Sequence, residues 1–257
     1  MSEPSVEVNL NGPILEVAIN RPERRNALTH AMYEALAGAL VRAASDDAVR
    51  VVLFHGLGGH FTAGNDLGEF AASPPADTSS PAFRFLRGLV AAEKPLVAAV
   101  EGHAVGIGTT MLLHCDLSYA APSAKFRMPF VDLALVPEGC ASLLLPRMLG
   151  MARASELLLL AEGFSGAEAA AYGIVSRTAP EGEVLEFARA KDRALAAKAP
   201  EAVRQSKRLL RQRDRALVDE VMVEEAEVFL ARLRSPELQE AVTAFMEKRS
   251  PDFSKFR

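Results

Sequence analysis

Apolar and polar residues alternate over Val6-Glu7-Val8-Asn9-Leu10 and again from Ile14 to Ile19, with Asn11-Gly12 between the two runs. That pattern predicts a β-hairpin. After the polar stretch Arg21 to Asn26, punctuated by Pro22, the period lengthens, and Met32, Leu36, Leu40 and Ala43 fall on one face of a helix that Thr29 can cap. Val51-Val52-Leu53-Phe54 and Leu96 to Val100 are short unbroken apolar runs, as expected of buried strands, with a helix predicted at about 81–92 between them. The second run leads through Gly102, Gly106 and Gly108 into an apolar helix, Thr109 to Leu113, and Leu117 to Ala120 reads as a third strand. Strands alternating with helices predict an α/β layer architecture. From about Gly166 the chain is nearly all helical. Val218, Met222, Ala226, Phe229, Leu230 and Leu233 form one stripe there, and Ser235-Pro236 opens a last helix with Leu238, Val242 and Phe245 inward. The Ser- and Pro-rich stretch at 72–81 is expected to be a mobile loop.

The 257 residues fit one large domain, and a net charge of −4 argues against a nucleic-acid partner, whose binding surfaces are basic. No apolar run approaches the roughly 20 residues needed to span a bilayer, and Met1-Ser2-Glu3-Pro4 does not open a secretory signal. With Cys115 and Cys140 the only cysteines, a disulfide framework is not expected, and the reducing cytoplasm is the expected location.

Two glycine-containing loops follow buried strands: Phe61-Thr62-Ala63-Gly64-Asn65-Asp66-Leu67 and Gly102-His103-Ala104-Val105-Gly106-Ile107-Gly108. In open α/β folds ligands collect at the carboxyl ends of strands. Small residues there expose main-chain N–H groups, and two such donors converging on one oxygen make an oxyanion hole. The same glycines could equally serve only to make tight turns. Neither loop is a nucleotide fingerprint, no Gly-x-Ser-x-Gly elbow occurs, and the five histidines lack paired metal-ligand spacing, so no metal is expected.

Taken together in order and spacing, Asn20 to Leu28, Phe61 to Leu67, Gly102 to Asp116, Phe130 to Pro146 and Phe164 to Val175 resemble the crotonase (enoyl-CoA hydratase/isomerase) superfamily over essentially the whole chain. The resemblance implies an α/β spiral of ββα turns (1–195) followed, in the same domain, by a helical trimerisation region (196–257). It also implies an acyl-CoA thioester substrate, no cofactor beyond the CoA of that substrate, and a homotrimer or dimer of trimers. By the same resemblance the N–H groups of Ala63 and Ile107 would hold the thioester oxygen. Arg24, Arg25, Ala27, Asn65, Asp66 and Leu67 would contact the CoA moiety, as could Lys248. Arg24 and Arg25 suit phosphates on charge alone, although a solvated loop accounts for them equally well.

The family's hydratases carry two glutamates where this chain has Thr110 and Phe130, neither of which can take a proton at neutral pH. Glu138 lies where the Δ3,Δ2-enoyl-CoA isomerases of the family carry their single catalytic glutamate. Its apolar setting, Leu133 to Pro137 before and Gly139 to Ser142 after, would raise its pKa toward a useful range. The competing reading is an acid that stabilises the start of the following helix. Asp132 and Glu69 are weaker candidates for the base. Asp116 reads as structural, and the stripe Arg204, Lys207, Arg208 and Arg211 as solvated.

Overall fold

A computed structural model of the chain describes residues 5–247 and 249–256. The N-terminal hairpin is β1 (Val6–Asn11) and β2 (Ile14–Ile19), with Gly12 at φ +59°, a backbone conformation that disfavours a side chain. α1 (His30–Ser45) follows, with the Thr29 hydroxyl accepting the Met32 N–H at 3.3 Å as the capping signal predicts. Next come β3 (Val51–Gly56), α2 (Leu67–Ala72), α3 (Pro81–Ala91), β4 (Leu96–Val100), β5 (His103–Val105), α4 (Ile107–Thr110), β6 (Leu117–Ala120) and β7 (Lys125–Arg127). The second half holds α5 (Ala141–Leu149), α6 (Met151–Ser155), β8 (Phe164–Ser165), α7 (Gly166–Ala171), β9 (Arg177–Thr178) and α8 (Val184–Ala196). It ends with α9 (Pro200–Arg211), α10 (Arg215–Arg232) and α11 (Pro236–Met246).

The main sheet has the order β1-β2-β3-β4-β6-β9, parallel from β2 onward, and β5-β7-β8 form a smaller sheet. Successive turns of the chain leave one strand in each: β4 then β5, β6 then β7. The loop after β3 joins the small sheet through a parallel bridge between Thr62 and Ala104. The result is the ββα spiral of the expected α/β class. Among the described residues no helix is long and apolar enough to cross a membrane.

Several local expectations need correction. All six residues of β2 are buried, although Glu16 interrupts the apolar run. Glu16 broke the apolar run in the sequence because it faces α8, where Arg189 donates to both its carboxylate oxygens at 3.0 and 2.8 Å. The helix expected at Thr109 starts at Ile107 and tightens into a 3-10 turn over Met111–His114. The cationic stripe of α9 is not simply solvated. Lys207 is buried, donating to Asp116 at 2.7 Å and to the Lys94 carbonyl at 2.8 Å, and Arg211 also binds Asp116. These bonds give Asp116 the structural role expected of it.

In the C-terminal helices Met222, Ala226 and Phe229 are buried within their own chain. The Ser235 hydroxyl caps α11 by accepting the Leu238 N–H at 3.1 Å. Leu238 faces inward as expected, and the Phe245 side chain lies outside the described ones.

One turn beyond Arg189, Asp192 is 0% exposed against the sheet, and neither carboxylate oxygen has a hydrogen-bond partner among the described residues. Burial, and then the nearby Glu16 carboxylate, push its acid up to about 7, while Arg193 opposes them weakly. A carboxyl raised above its unfolded pKa costs stability as pH climbs from the unfolded value through the folded one. Asp192→Asn is therefore expected to be more stable than the wild type above pH 7, by about 2 kcal/mol. The gain should disappear near pH 4, as followed by thermal melts across that range.

Candidate active site

The segment between β2 and α1 is shaped by two consecutive left-handed residues, Arg25 (φ 49°) and Asn26 (φ 60°). Asn26 is fully buried. Its side-chain oxygen accepts the Arg21 N–H at 2.7 Å, and its amide donates to the carbonyls of Leu57 at 2.9 Å and His60 at 2.6 Å. Its own carbonyl accepts the Thr62 hydroxyl at 2.7 Å. The loop at 21–28 is thereby bonded to the loop that follows β3.

That bonding decides which main-chain N–H groups are free. The Ala63 N–H, expected to hold a substrate oxygen, instead donates to the Arg25 carbonyl at 2.9 Å and has no donor left to offer. Two residues on, Leu28 and Asn65 form a parallel β-bridge. Leu28 donates to the Gly64 carbonyl at 2.8 Å, and the Asp66 N–H donates back to Leu28 at 2.9 Å. In such a bridge the flanking peptides are used and the central residue's own N–H points to the opposite side. The Asn65 N–H has no main-chain acceptor among the described residues. The side it faces is the 105–107 loop, since a Cβ added at Gly64 would lie 2.8 Å from the Val105 carbonyl oxygen. The Ile107 N–H, first in α4, is likewise without an acceptor. Asn65 and Ile107, not Ala63 and Ile107, are the pair that can receive an oxyanion.

Glu138 stands on the turn before α5, where Gly139 (φ +68°) and Cys140 (φ +59°) are both left-handed. Two buried groups hold this turn. Burial pushes the His114 imidazole down to about 4, so it is neutral and donates Nε2–H to the Gly139 carbonyl at 2.8 Å. The Glu225 carboxylate, from α10, accepts the N–H groups of Cys140 at 2.7 Å and Ser142 at 2.9 Å. The acid that stabilises the start of α5 is thus Glu225, which leaves Glu138 free. Glu138 is 6% exposed, and its carboxylate has no hydrogen-bond partner among the described residues. Burial, and then repulsion from Glu225, push its acid up to about 8.

Glu138 shares a pocket with Tyr33, Asn65, Phe70, Phe83 and Phe229, the last packed edge-on against the other two phenylalanines. Two other carboxylates border this pocket, and both are engaged. Asp66, expected at the CoA moiety, binds Arg21 at 2.7 Å through one oxygen and caps α2 through the other. Glu69 accepts the His30 N–H at 2.8 Å, tying α2 to the start of α1. Asp132 is exposed and paired with Arg127, outside the pocket. Arg24 and Arg25 are exposed on the 21–28 loop, Ala27 and Leu67 are half-buried, and Lys248 lies outside the described residues. Thr110 and Phe130 are buried and cannot ionise.

Sequence reasoning missed Tyr33, His114 and Glu225. Glu225 alone carried a signal, as an acid set beside Met222, Ala226 and Phe229 on the apolar side of a helix.

The sequence profile of the enoyl-CoA hydratase/isomerase family matches residues 9–256. The chain belongs to this family. It is 34% identical to human enoyl-CoA delta isomerase 2 over 92% of its own length and 62% of the relative's, so it spans about three-fifths of that protein. It is 33% identical to the Escherichia coli 2,3-dehydroadipyl-CoA hydratase, over 93% of this chain and 94% of the relative. Among solved structures, Pseudomonas aeruginosa OdaA superposes with a TM-score of 0.93 at 47% identity, over 95% of this chain and 99% of that one. As a member of the enoyl-CoA hydratase/isomerase family the chain has the spiral seen in that structure, and the pocket lies at the carboxyl ends of its strands.

The Asn26 side chain supports this arrangement from outside the pocket. Asn26→Ala removes three buried hydrogen bonds and is expected to cost about 2–4 kcal/mol in urea unfolding.

Proposed function

We propose that the protein is an enzyme that binds an acyl-CoA thioester, stabilises its enolate, and converts a 3-enoyl-CoA to the 2-enoyl-CoA with Glu138 as the only base. The observation that carries this reading is that Glu138 is the one carboxylate bordering the pocket without a partner among the described residues, and that it shares this pocket with Asn65, whose N–H has no main-chain acceptor among them. The thioester oxygen accepts hydrogen bonds from Asn65 and Ile107. Glu138 removes a proton from C2, and the C–H electron pair spreads over C2 to C4 and onto the oxygen, where the two N–H dipoles stabilise the developing charge. The carboxyl then returns its proton to C4, leaving the double bond between C2 and C3. One group that alternates between base and acid suffices, provided its pKa lies near the working pH. Burial supports that condition for Glu138. Hydration would need a second proton-transfer group, and Thr110 and Phe130 occupy the positions that could have supplied one.

On the CoA side, Arg24 and Arg25 have no ion-pair partner among the described residues and are suited to phosphates. The chemistry uses no cofactor other than the CoA of the substrate. We also propose a homotrimer or a dimer of trimers. Leu209, Leu210, Val223 and Val228 on α9 and α10 leave large apolar surface exposed, with Leu210 at 85%, which supports burial between subunits. Sedimentation at micromolar concentration should give a trimer or hexamer, and a monomer would contradict the assignment.

Glu138→Gln is expected to lower kcat by at least roughly 100-fold, with little change in the affinity for the CoA ester. In the wild type, kcat/KM should rise with pH as the carboxylate forms and level off above about 8. Parallel incubations with a 3-enoyl-CoA and a 2-enoyl-CoA separate the two family reactions. Double-bond migration from the first is expected, whereas efficient formation of a 3-hydroxyacyl-CoA from the second, without migration, would assign a hydratase.

A further inference from the structure

We propose that Tyr33 is a positioning residue for the oxyanion site, its hydroxyl holding Asn65 so that the Asn65 N–H faces that of Ile107. The inference rests on the enolate-stabilising reading above and adds to it a residue outside the motifs that define the family.

Tyr33 lies one turn into α1, its ring 2% exposed. The ring packs against Phe85 at 6.2 Å between centroids, and Phe85 meets Phe54 of β3 edge-on at 6.1 Å. The ring is therefore fixed by the core, while its hydroxyl reaches the pocket and donates to the side-chain oxygen of Asn65. Main-chain bonds to Leu28 hold Asn65 on one side only, through the peptides before and after it. Its own N–H is the group those bonds leave free, so the side-chain tether to Tyr33 is what restrains that residue from turning as a unit. A second tie, from the Glu69 carboxylate to the His30 N–H at 2.8 Å, keeps the same loop against the same helix end.

The tether is also chemically constant. Burial, and then the nearby Glu138 carboxylate, raise the Tyr33 phenol well above its usual range, so it remains a neutral donor at any working pH. The ionisable groups around the pair are His30, Asp66, Glu69 and Glu138 at the pocket and Glu225 behind the Glu138 turn. Tyr33 touches the residue that carries the oxyanion donor, not the reacting atoms.

The test uses a 3-arylacryloyl-CoA thioester, whose absorption moves to longer wavelength when hydrogen bonds polarise its carbonyl. The wild type should red-shift the bound probe. Tyr33→Phe, which keeps the ring and its packing, should lose most of that shift and lower kcat about tenfold or more, with KM within about twofold. Asn65→Ala cuts the same tether from the other end while keeping the peptide N–H, and should give the same loss. Because both remove one interaction, the double variant should be no worse than either single one. Wild-type red shift and turnover in Tyr33→Phe, or losses that add in the double variant, would overturn the assignment. Glu138→Gln separates the two readings, since it should lower turnover by at least roughly 100-fold while retaining the red shift. No red shift in the wild type would overturn the oxyanion site and this role together. A normal red shift with no double-bond migration would overturn the isomerase reading alone.

Discussion

The site depends on two loops approaching each other more closely than side chains allow. A Cβ at Gly64 would come within 2.8 Å of the Val105 carbonyl oxygen, and one at Gly108 within 2.6 Å of the Thr62 methyl. Only glycine at both positions permits this approach, and the approach packs the loop that carries Asn65 against the loop that leads to Ile107. The parallel bridge between Thr62 and Ala104 is the same contact seen as secondary structure, and it attaches the loop after β3 to the small sheet. Strand order, glycine placement and donor geometry are thus three expressions of one constraint. The buried Asn26 side chain holds the outer side of the same loop, so the chain does not have to rely on the free N–H groups to keep it in place.

In the pocket that Glu138 shares with Asn65, the protein keeps this carboxylate where burial disfavours its charge. Among the described residues none donates a hydrogen bond to the Glu138 carboxylate, and the nearby donors go to other acceptors. His114 bonds the carbonyl of Gly139, while the N–H groups at the start of α5 go to Glu225. A carboxylate that received those bonds would have a lowered pKa and be a weaker base. Placing Glu225 behind the turn stabilises the helix start and adds a repulsion that raises the Glu138 pKa further. A group so buried and unsatisfied costs folding stability, as is common where chemistry is performed.

Much of this was legible in the residues. Runs such as Val51 to Phe54 and Leu96 to Val100 announce buried strands, because parallel strands covered on both faces need no polar alternation. The resemblance pointed to Glu138, and the apolar residues around it in Leu-Val-Pro-Glu-Gly indicated burial, while position alone left a helix-opening acid as a competing reading. What failed had non-local causes. The motif at 61–67 shows that a peptide N–H is presented, but which one remains free depends on whether Leu28 pairs with residue 65, and that pairing is a property of the fold. The resemblance placed Asp66 at the ligand, and nothing near it in sequence shows that Arg21 binds it. Tyr33 reads as one more apolar position of an amphipathic helix, and only its neighbour across the pocket, 32 residues away, gives the hydroxyl a role. Lys207 and Arg211 read as surface charges because their partner Asp116 is 95 residues from Arg211.

The clamp that Glu225 places on the Glu138 turn spans 85 residues, from Cys140 to Glu225. During synthesis the loops at 61–67 and 102–108 and the Glu138 turn leave the ribosome long before α10 does, and α10 also brings Phe229, one wall of the pocket. Until this helix docks, the turn that carries Glu138 lacks its Glu225 acceptor and the pocket lacks its Phe229 wall. The pocket is therefore complete only once one late helix has docked, and a chain cut short before α10 would lack both Phe229 and the acceptor that holds the Glu138 turn.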